Sequence, residues 1–430
     1  MGIQRGTRCT AAAVDEVRAA LTSPEPADRS DALSRITAWR GLDGDPATAS
    51  ALLVAATRSY PTLPGQREDP AAWLAEALWL APDAAELREL EATYLLASEA
   101  ARRSLLGVLA RRRDAESLDA LRHLIGGRCA STSLPLPAPG VLSPVLGHPG
   151  VASLAPTLAR LTMRPGWESE ATDLLIRLVG TYTLDPVQEA GVLDVVRGAL
   201  DSLVVECDLG CAPGVDRPAD WRLRHRVRGL VDVLEAVGTD DALDLLGRVQ
   251  ASADPVLSAW AVAACCGVGD PVPWDRVWMA AHEPVSRSVL IDALDRRGRL
   301  HRTFDDAGLV LSGARRAEAD LVSWLERPGE LGCVPDEVEH IWTRPVPIDG
   351  VAEARWPAMY LFRFRVRAPH WSCATGWMVG AAGLYRSDGT VPDDMLRVAH
   401  SLYEAEDSAS PEDHLDAIAT SLTSWPYAAG

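Results

Sequence analysis

The clearest hydrophobic pattern in the chain lies in residues 239–268, TDDALDLLGRVQASADPVLSAWAVAACCGV. Apolar positions recur there every three or four residues, which places their side chains on one side of an α-helix. They are Ala242, Leu245, Leu246 and Val249 in the first half, and Leu257, Trp260, Ala261, Ala264, Cys265 and Val268 in the second. The pattern predicts two amphipathic helices that are joined by a tight turn and pack against neighbours.

An acidic residue followed by proline precedes several such segments. The pairs are Asp45-Pro46, Asp69-Pro70, Asp185-Pro186, Asp254-Pro255 and Glu283-Pro284. A carboxylate at the N-cap accepts hydrogen bonds from unpaired backbone N–H groups, and proline fits the first helical position because its missing N–H is not needed there. Each pair therefore predicts the start of a helix.

The unit made of a short helix with an Asp-Asp-Ala-Leu start, a turn, and an Asp-Pro start to an alanine-rich helix resembles the HEAT-repeat family. The resemblance is clearest over residues 239–297 and extends to residues 83–126. It implies a right-handed stack of antiparallel helix pairs, an architecture commonly used to bind other proteins, and it implies no catalytic residue. We expect a HEAT-like α-solenoid, a mainly α fold, over residues 1–327.

Two segments interrupt the helical pattern. Residues 126–150 are rich in proline and glycine, which excludes a regular helix and predicts a long loop. Residues 326–337, ERPGELGCVPDE, mark a change from helical spacing to alternation. We therefore expect a separate C-terminal module from residue 328 to residue 430.

Alternation in this C-terminal part indicates β-strands. Residues 358–367 alternate between two sets, which predicts a strand with one buried and one solvent-exposed face. The buried set is Tyr360, Phe362, Phe364 and Val366, and the exposed set is Leu361, Arg363, Arg365 and Arg367. Further strands are expected within 373–386 and 337–348, and helices near 391–405 and 411–422. These elements predict a small α+β module.

Composition removes several mechanisms. The chain has no lysine and no asparagine, so all 42 basic residues are arginines. Phosphate-binding P-loops, Schiff-base lysines and Ser-x-x-Lys nucleophiles are thereby excluded. The net charge of −18 disfavours nucleic acid and anionic membranes as partners. Eight scattered cysteines and the absence of a signal-peptide pattern lead us to expect a cytoplasmic protein.

Few residues suggest chemistry. Cys207, Cys211 and His225 are metal-ligand types, but their loose spacing and the lack of a fourth ligand predict buried thiols and no metal. Cys265 and Cys266 fall on an apolar stripe and are expected to pack in the core. His370 and Cys373 lie in a loop between predicted strands and are the candidates for a thiol-based site. No cofactor is expected.

The arginines are the binding candidates. Arg222 and Arg226 lie one turn apart on a predicted helix, where acidic neighbours or an anionic ligand can pair with them. Arg363, Arg365 and Arg367 share one strand face, where the opposing acidic groups come from the protein itself or from an acidic partner. Most tryptophans near apolar stripes are expected to pack between helices, and any that are exposed are candidate binding anchors. They include Trp73, Trp79, Trp274 and Trp278.

These observations favour a non-enzymatic scaffold that binds another protein. An enzyme with a site around His370 and Cys373 is the first alternative. A HEAT-like nucleic-acid-binding protein or DNA glycosylase is the second, and the negative charge disfavours it.

Overall fold

The computed structural model describes residues 7–61, 69–80, 90–126, 134–211, 221–269, 274–327, 330–332, 334–345, 357–365, 377–386 and 400–404, and residues 410, 413 and 416. Over these residues the protein is mainly helical with a small sheet region, which confirms the predicted mainly α class. The chain divides into two compact units, Met1–Val196 and Arg197–Gly430.

The first unit is built from short helices and a pair of parallel strands. The strands are β1 (Thr7–Cys9) and β2 (Trp39–Leu42). The helices are α1 (Ala11–Leu21), α2 (Pro26–Ala38), α3 (Pro46–Ala56), α4 (Pro70–Ala77), α5 (Leu90–Tyr94), α6 (Glu99–Arg111), α7 (Ala115–Gly126), α8 (Ala155–Leu161) and α9 (Glu168–Thr181). Helix α4 packs against α2, α3 and α6, and each helix from α6 to α9 contacts the next.

The proline-rich segment after α7 contains no α-helix in its described part, residues 134–150, as the sequence predicts. Two short 3-10 helices, Ser143–Gly147 and Val151–Leu154, follow an irregular stretch. The segment is held against helices: the indole of Trp167 donates to the carbonyl of Pro135 (2.9 Å), and Glu170 accepts from the amide of Gly140 (2.8 Å). These bonds satisfy polar groups that irregular backbone would otherwise leave unpaired.

Helix α10 (Pro186–Gly210) begins in the first unit and ends in the second. The second unit continues with α11 (Trp221–Val237), α12 (Asp240–Gln250), α13 (Pro255–Val268), α14 (Trp274–His282), α15 (Pro284–Arg296), α16 (Leu300–Asp306) and α17 (Gly313–Leu325). Consecutive contacts join α11, α13, α15 and α17. Helix α12 contacts α11 and α13, α14 contacts α13 and α15, and α16 contacts α15.

The helix pair predicted from residues 239–268 is confirmed as α12 and α13. The side chain of Asp254 caps α13 by accepting hydrogen bonds from the amides of Val256 and Leu257. Glu283 caps α15 by accepting a hydrogen bond from the amide of Ser286. Cys265 and Cys266 are buried, as expected, and burial raises the pKa of their thiols to about 11 and about 12. Both side chains therefore act as small uncharged core residues.

A four-stranded antiparallel sheet follows α17, in the order β3 (Glu337–Pro345), β4 (Pro357–Arg365), β5 (Trp377–Arg386) and β6 (His400–Glu404). It packs on α15 and α17. The predicted strands are confirmed over the residues described. The helix predicted near 391–405 is wrong at 400–404, because this short segment pairs with β5 and long-range pairing overrides local helical spacing. In the helix predicted at 411–422, only Asp413 and Asp416 are described, and both are helical.

The central strand β4 is buried more completely than alternation predicts. Tyr360, Phe362 and Phe364 are buried as expected, but Leu361 is also buried, so its assignment to a wet face is wrong. Leu361 pairs with Trp342 of β3 and Ala381 of β5, beside register irregularities on both sides. Simple alternation assumes one solvated face, and at the centre of this sheet both faces are covered.

Candidate interaction surface

The arginines of β4 pair with carboxylates on the neighbouring strand. Arg363 lies opposite Glu339 in the sheet register and contacts it at 2.5 Å, and Arg365 is likewise paired with Glu337. Exposed ion pairs of this kind contribute only about 0 to 1 kcal/mol each. The protein itself therefore supplies the acidic groups that face this stripe. Arg367, the third member, lies outside the described residues.

Charge reversal on this stripe is expected to cost little. The Arg363→Glu, Arg365→Glu double variant places like charges in register, but solvent screens them, so the free energy of unfolding should fall by less than about 2 kcal/mol. Urea unfolding measures the change. Adding Glu337→Arg and Glu339→Arg should restore the free energy of unfolding. A double variant that does not fold would show that these ion pairs contribute more than exposed pairs do.

The arginines of α11 are tied to other helices of the second unit. Arg224 donates from Nε to Oδ2 of the fully buried Asp254 at 2.7 Å. Burial disfavours the guanidinium charge, but the field of Asp254 and the hydrogen bond to it outweigh this effect, so the pKa of Arg224 is raised. This ion pair joins α11 to the N-terminus of α13.

The remaining arginines of α11 differ in exposure. Arg228 lies 3.6 Å from Glu326 and over the ring of Trp260 (5.3 Å to the centroid). Arg222, one of the two binding candidates there, is exposed and lies over the ring of Trp221 (5.7 Å). Arg226, the other candidate, is half-buried. The structure therefore leaves Arg222 as the exposed member of the pair.

The thiols considered for chemistry are shielded. Burial raises the pKa of Cys207 to about 12 and also raises that of Cys211, so both stay protonated near neutral pH and are poor nucleophiles. Among the described residues, no group of three or more His, Cys, Asp or Glu side chains could hold a metal ion. The alternative catalytic pair, His370 and Cys373, lies outside the described residues.

Carboxylates cluster between α15 and α17. Burial, reinforced by the field of Asp292 and then of Asp295, raises the pKa of Asp320 to about 7 despite the opposing field of Arg316. Burial also raises the pKa of Asp292 to about 6, against the opposing field of Arg228. Arg316 lies 3.3 Å from Asp295. Near neutral pH the carboxyl group of Asp320 is therefore only partly ionised.

One helix exposes three large apolar side chains. On α14, Trp274, Trp278 and Met279 are 41%, 53% and 50% exposed, while Val277, Ala280 and Ala281 of the same helix are buried. The ring of His282 stacks on that of Trp278 with 3.9 Å between centroids. We call Trp274, Trp278 and Met279 the α14 aromatic surface. Single exposed apolar residues are ordinary, whereas several on one helix make it a candidate interaction surface.

The sequence drew attention to Trp274 and Trp278 without separating packing from exposure. Trp274, Val277, Trp278 and Ala281 have the i, i+3, i+4, i+7 spacing of one apolar stripe, yet Val277 and Ala281 are buried while the two tryptophans are about half exposed. Small residues pack inward and large ones face solvent, which reverses the usual order of side-chain size in an amphipathic helix. The reversal is visible only in the structure, because the spacing alone does not separate exposed tryptophans from packed ones.

Within the described residues, no helix is long and apolar enough to span a bilayer. No family model, no curated protein and no solved structure matches the chain.

Proposed function

We propose that the protein is a non-catalytic scaffold that binds another protein through the α14 aromatic surface. The observation that carries the proposal is the exposure of Trp274, Trp278 and Met279 on one short helix. Tryptophan and methionine are enriched at protein interfaces, and tryptophan is prominent among the residues that dominate binding energy. A fully buried aromatic side chain removes about 150 to 250 Å² from water, and about half of each indole is still exposed for a partner to cover.

We also propose that α11 to α17 form a HEAT-like stack that presents this surface. The succession of contacts from α11 to α13, α15 and α17, with α12 and α14 each touching two consecutive members, supports this arrangement. Capping of α13 by Asp254 and of α15 by Glu283 supports a repeated helix start. In such an array each helix pair is held by its neighbours, which gives a rigid support for a binding surface.

The test begins by identifying the partner at the surface itself. A photoreactive phenylalanine analogue at position 278 should cross-link one defined protein in cells of the source organism. The same analogue at position 342 is the matched control, because Trp342 is also exposed, 41%, but lies on β3. A protein that is cross-linked equally from both positions would not be a specific partner.

Direct titration with the purified partner then measures affinity. Trp274→Ala with Trp278→Ala should raise the dissociation constant at least about 30-fold, the equivalent of about 2 kcal/mol. Trp342→Ala should leave it unchanged. Equal affinities for the double variant and the unaltered protein, with both folded by circular dichroism, would refute a binding role for α14.

A further inference from the structure

The first unit contains a cleft of about 600 Å³ that the proposed scaffold function does not use. One face of α4 and one face of α6 line it, and the end of α2 and the 3-10 helix Leu78–Leu80 complete its walls. Small side chains such as Ala72 and Ala100 leave space between the helices, whereas Trp73 and Trp79 are its large apolar groups. Clefts of about 300 to 1,000 Å³ with mostly apolar walls have the usual size of small-molecule sites.

At one end of the cleft, a carboxylate and an indole together hold a cation. Glu76 is paired with Arg111, and the same guanidinium lies over the ring of Trp79 at 5.5 Å from the centroid. A guanidinium is attracted both by the charge of a carboxylate and by the electron-rich face of an aromatic ring. The protein itself therefore supplies the cation at this end.

The same combination recurs at the start of α4, in Asp69 and Trp73. These two residues are four apart, both line the cleft, and both are half-buried, so each keeps some accessible surface. The carboxylate of Asp69 accepts hydrogen bonds from the amide of Ala71 (2.9 Å) and the hydroxyl of Ser98 (2.6 Å). Both donors are neutral, and within the described part of the chain no cationic side chain forms an ion pair with Asp69.

The other charges of the cleft are compensated. Arg103, the basic residue among the described lining residues, lies 3.2 Å from Glu99 and donates from Nε to the carbonyl of Leu136 at 2.9 Å. Glu76 has Arg111 as its counter-ion. Asp69 is therefore the carboxylate of this cleft that lacks a counter-ion among the described residues. The net charge of −18 on the chain adds a long-range attraction for cations.

We propose that this cleft binds a small organic cation, whose ammonium or guanidinium group pairs with Asp69 beside the ring of Trp73. The apolar part of the ligand lies along the alanines between α4 and α6. Arg111, held by Glu76 and Trp79, is the protein's own example of these two contacts. A neutral ligand gains the apolar contacts without the ion pair, and an anion is repelled by Asp69. The site is separate from the α14 aromatic surface, which contributes none of the described lining residues.

Benzylamine is a suitable probe, because it is protonated at neutral pH and joins an ammonium group to an aromatic ring. Benzyl alcohol has nearly the same shape without the charge, and benzoate carries the opposite charge. In protein labelled with ¹⁵N at the fourteen tryptophans, benzylamine should shift the indole resonance of Trp73 saturably, and Trp73→Phe assigns that resonance. Benzylamine should bind at least about fivefold more tightly than benzyl alcohol, and benzoate should give no saturable shift.

Asp69→Asn separates the charge from the fold. Asparagine caps helices about as well as aspartate, so α4 should be retained. Benzylamine affinity should fall at least about fivefold, while benzyl alcohol affinity stays the same. Asp45→Asn is the matched control, because Asp45 also precedes a proline and caps a helix of the first unit, α3, but is exposed and outside the cleft. It removes the same charge and should leave benzylamine binding unchanged.

Ala100→Leu fills part of the cleft and should weaken benzylamine and benzyl alcohol alike. The proposal is overturned if benzylamine gives no saturable shift, or if benzyl alcohol binds as tightly. It is also overturned if folded Asp69→Asn protein binds benzylamine as tightly as Asp45→Asn protein does, since the cation would then be attracted only by the overall negative charge of the chain. None of these results depends on the binding of a partner at α14.

Discussion

Replacing Asp254 with alanine is expected to destabilise the second unit by about 3 to 5 kcal/mol, because it leaves a buried guanidinium without its counter-ion. Asp254 is fully buried and contacts Arg224 at 2.7 Å. The same carboxylate caps α13 at the amides of Val256 and Leu257, and loss of a cap alone costs about 0.5 to 2 kcal/mol. Urea unfolding followed by far-ultraviolet circular dichroism measures the combined effect.

Glu283→Ala is the matched control. Glu283 also precedes a proline and caps the next helix of the row, α15, but it is exposed. It should lose only the capping contribution, about 1 kcal/mol. Adding Arg224→Met to Asp254→Ala should recover part of the stability, since the unpaired charge is then gone. Equal losses for Asp254→Ala and Glu283→Ala would show that the ion pair contributes nothing beyond the cap.

Asp320→Asn is expected to stabilise the protein at pH 8 and to have little effect near pH 4. The pKa of Asp320 is raised from 3.8 to about 7, first by burial and then by the nearby Asp292 and Asp295. Because the pKa of Asp320 is higher in the folded state than in the unfolded state, its contribution to the free energy of unfolding is greatest below about pH 4. That contribution is lost as the pH rises through about 7. At pH 8 the ionised side chain costs up to about 4 kcal/mol, at about 1.4 kcal/mol per unit of pKa.

The asparagine variant cannot ionise, so its stability should exceed that of the unaltered protein by a margin that grows between pH 4 and pH 8. Urea unfolding at a series of pH values gives this margin directly. Asp244→Asn changes an exposed carboxylate on α12 and should show no such growth. A margin for Asp320→Asn that stayed constant with pH would contradict the raised pKa of Asp320.

Local patterns in the sequence were sufficient to predict much of the fold. Asp45, Asp69 and Asp254 each accept a backbone amide at the helix start that their Asp-Pro pairs predict, because capping depends on only a few adjacent residues. Alternation located β3, β4 and β5. Alternation did not identify β6. Residues 400–404 form this strand by pairing with β5, which lies in a different part of the sequence. The spacing of apolar residues along the chain carries no information about such a contact.

The candidate interaction surface and the arginine ion pairs were harder to predict from the sequence. The spacing of Trp274 and Trp278 places them on a helix but does not reveal which neighbours cover them. The acidic partners of Arg363 and Arg365 depended on strand register, which sets Glu339 and Glu337 opposite them.

Helix α13 has a consequence for how the second unit opens. It is enclosed by α11, α12, α14 and α15, and its residues from Ala259 to Cys266 are all buried. We therefore expect its backbone amides to exchange with deuterium only when a larger part of the unit unfolds. Because α13 contacts all four of these helices, we expect them to unfold together in one cooperative step rather than one helix pair at a time.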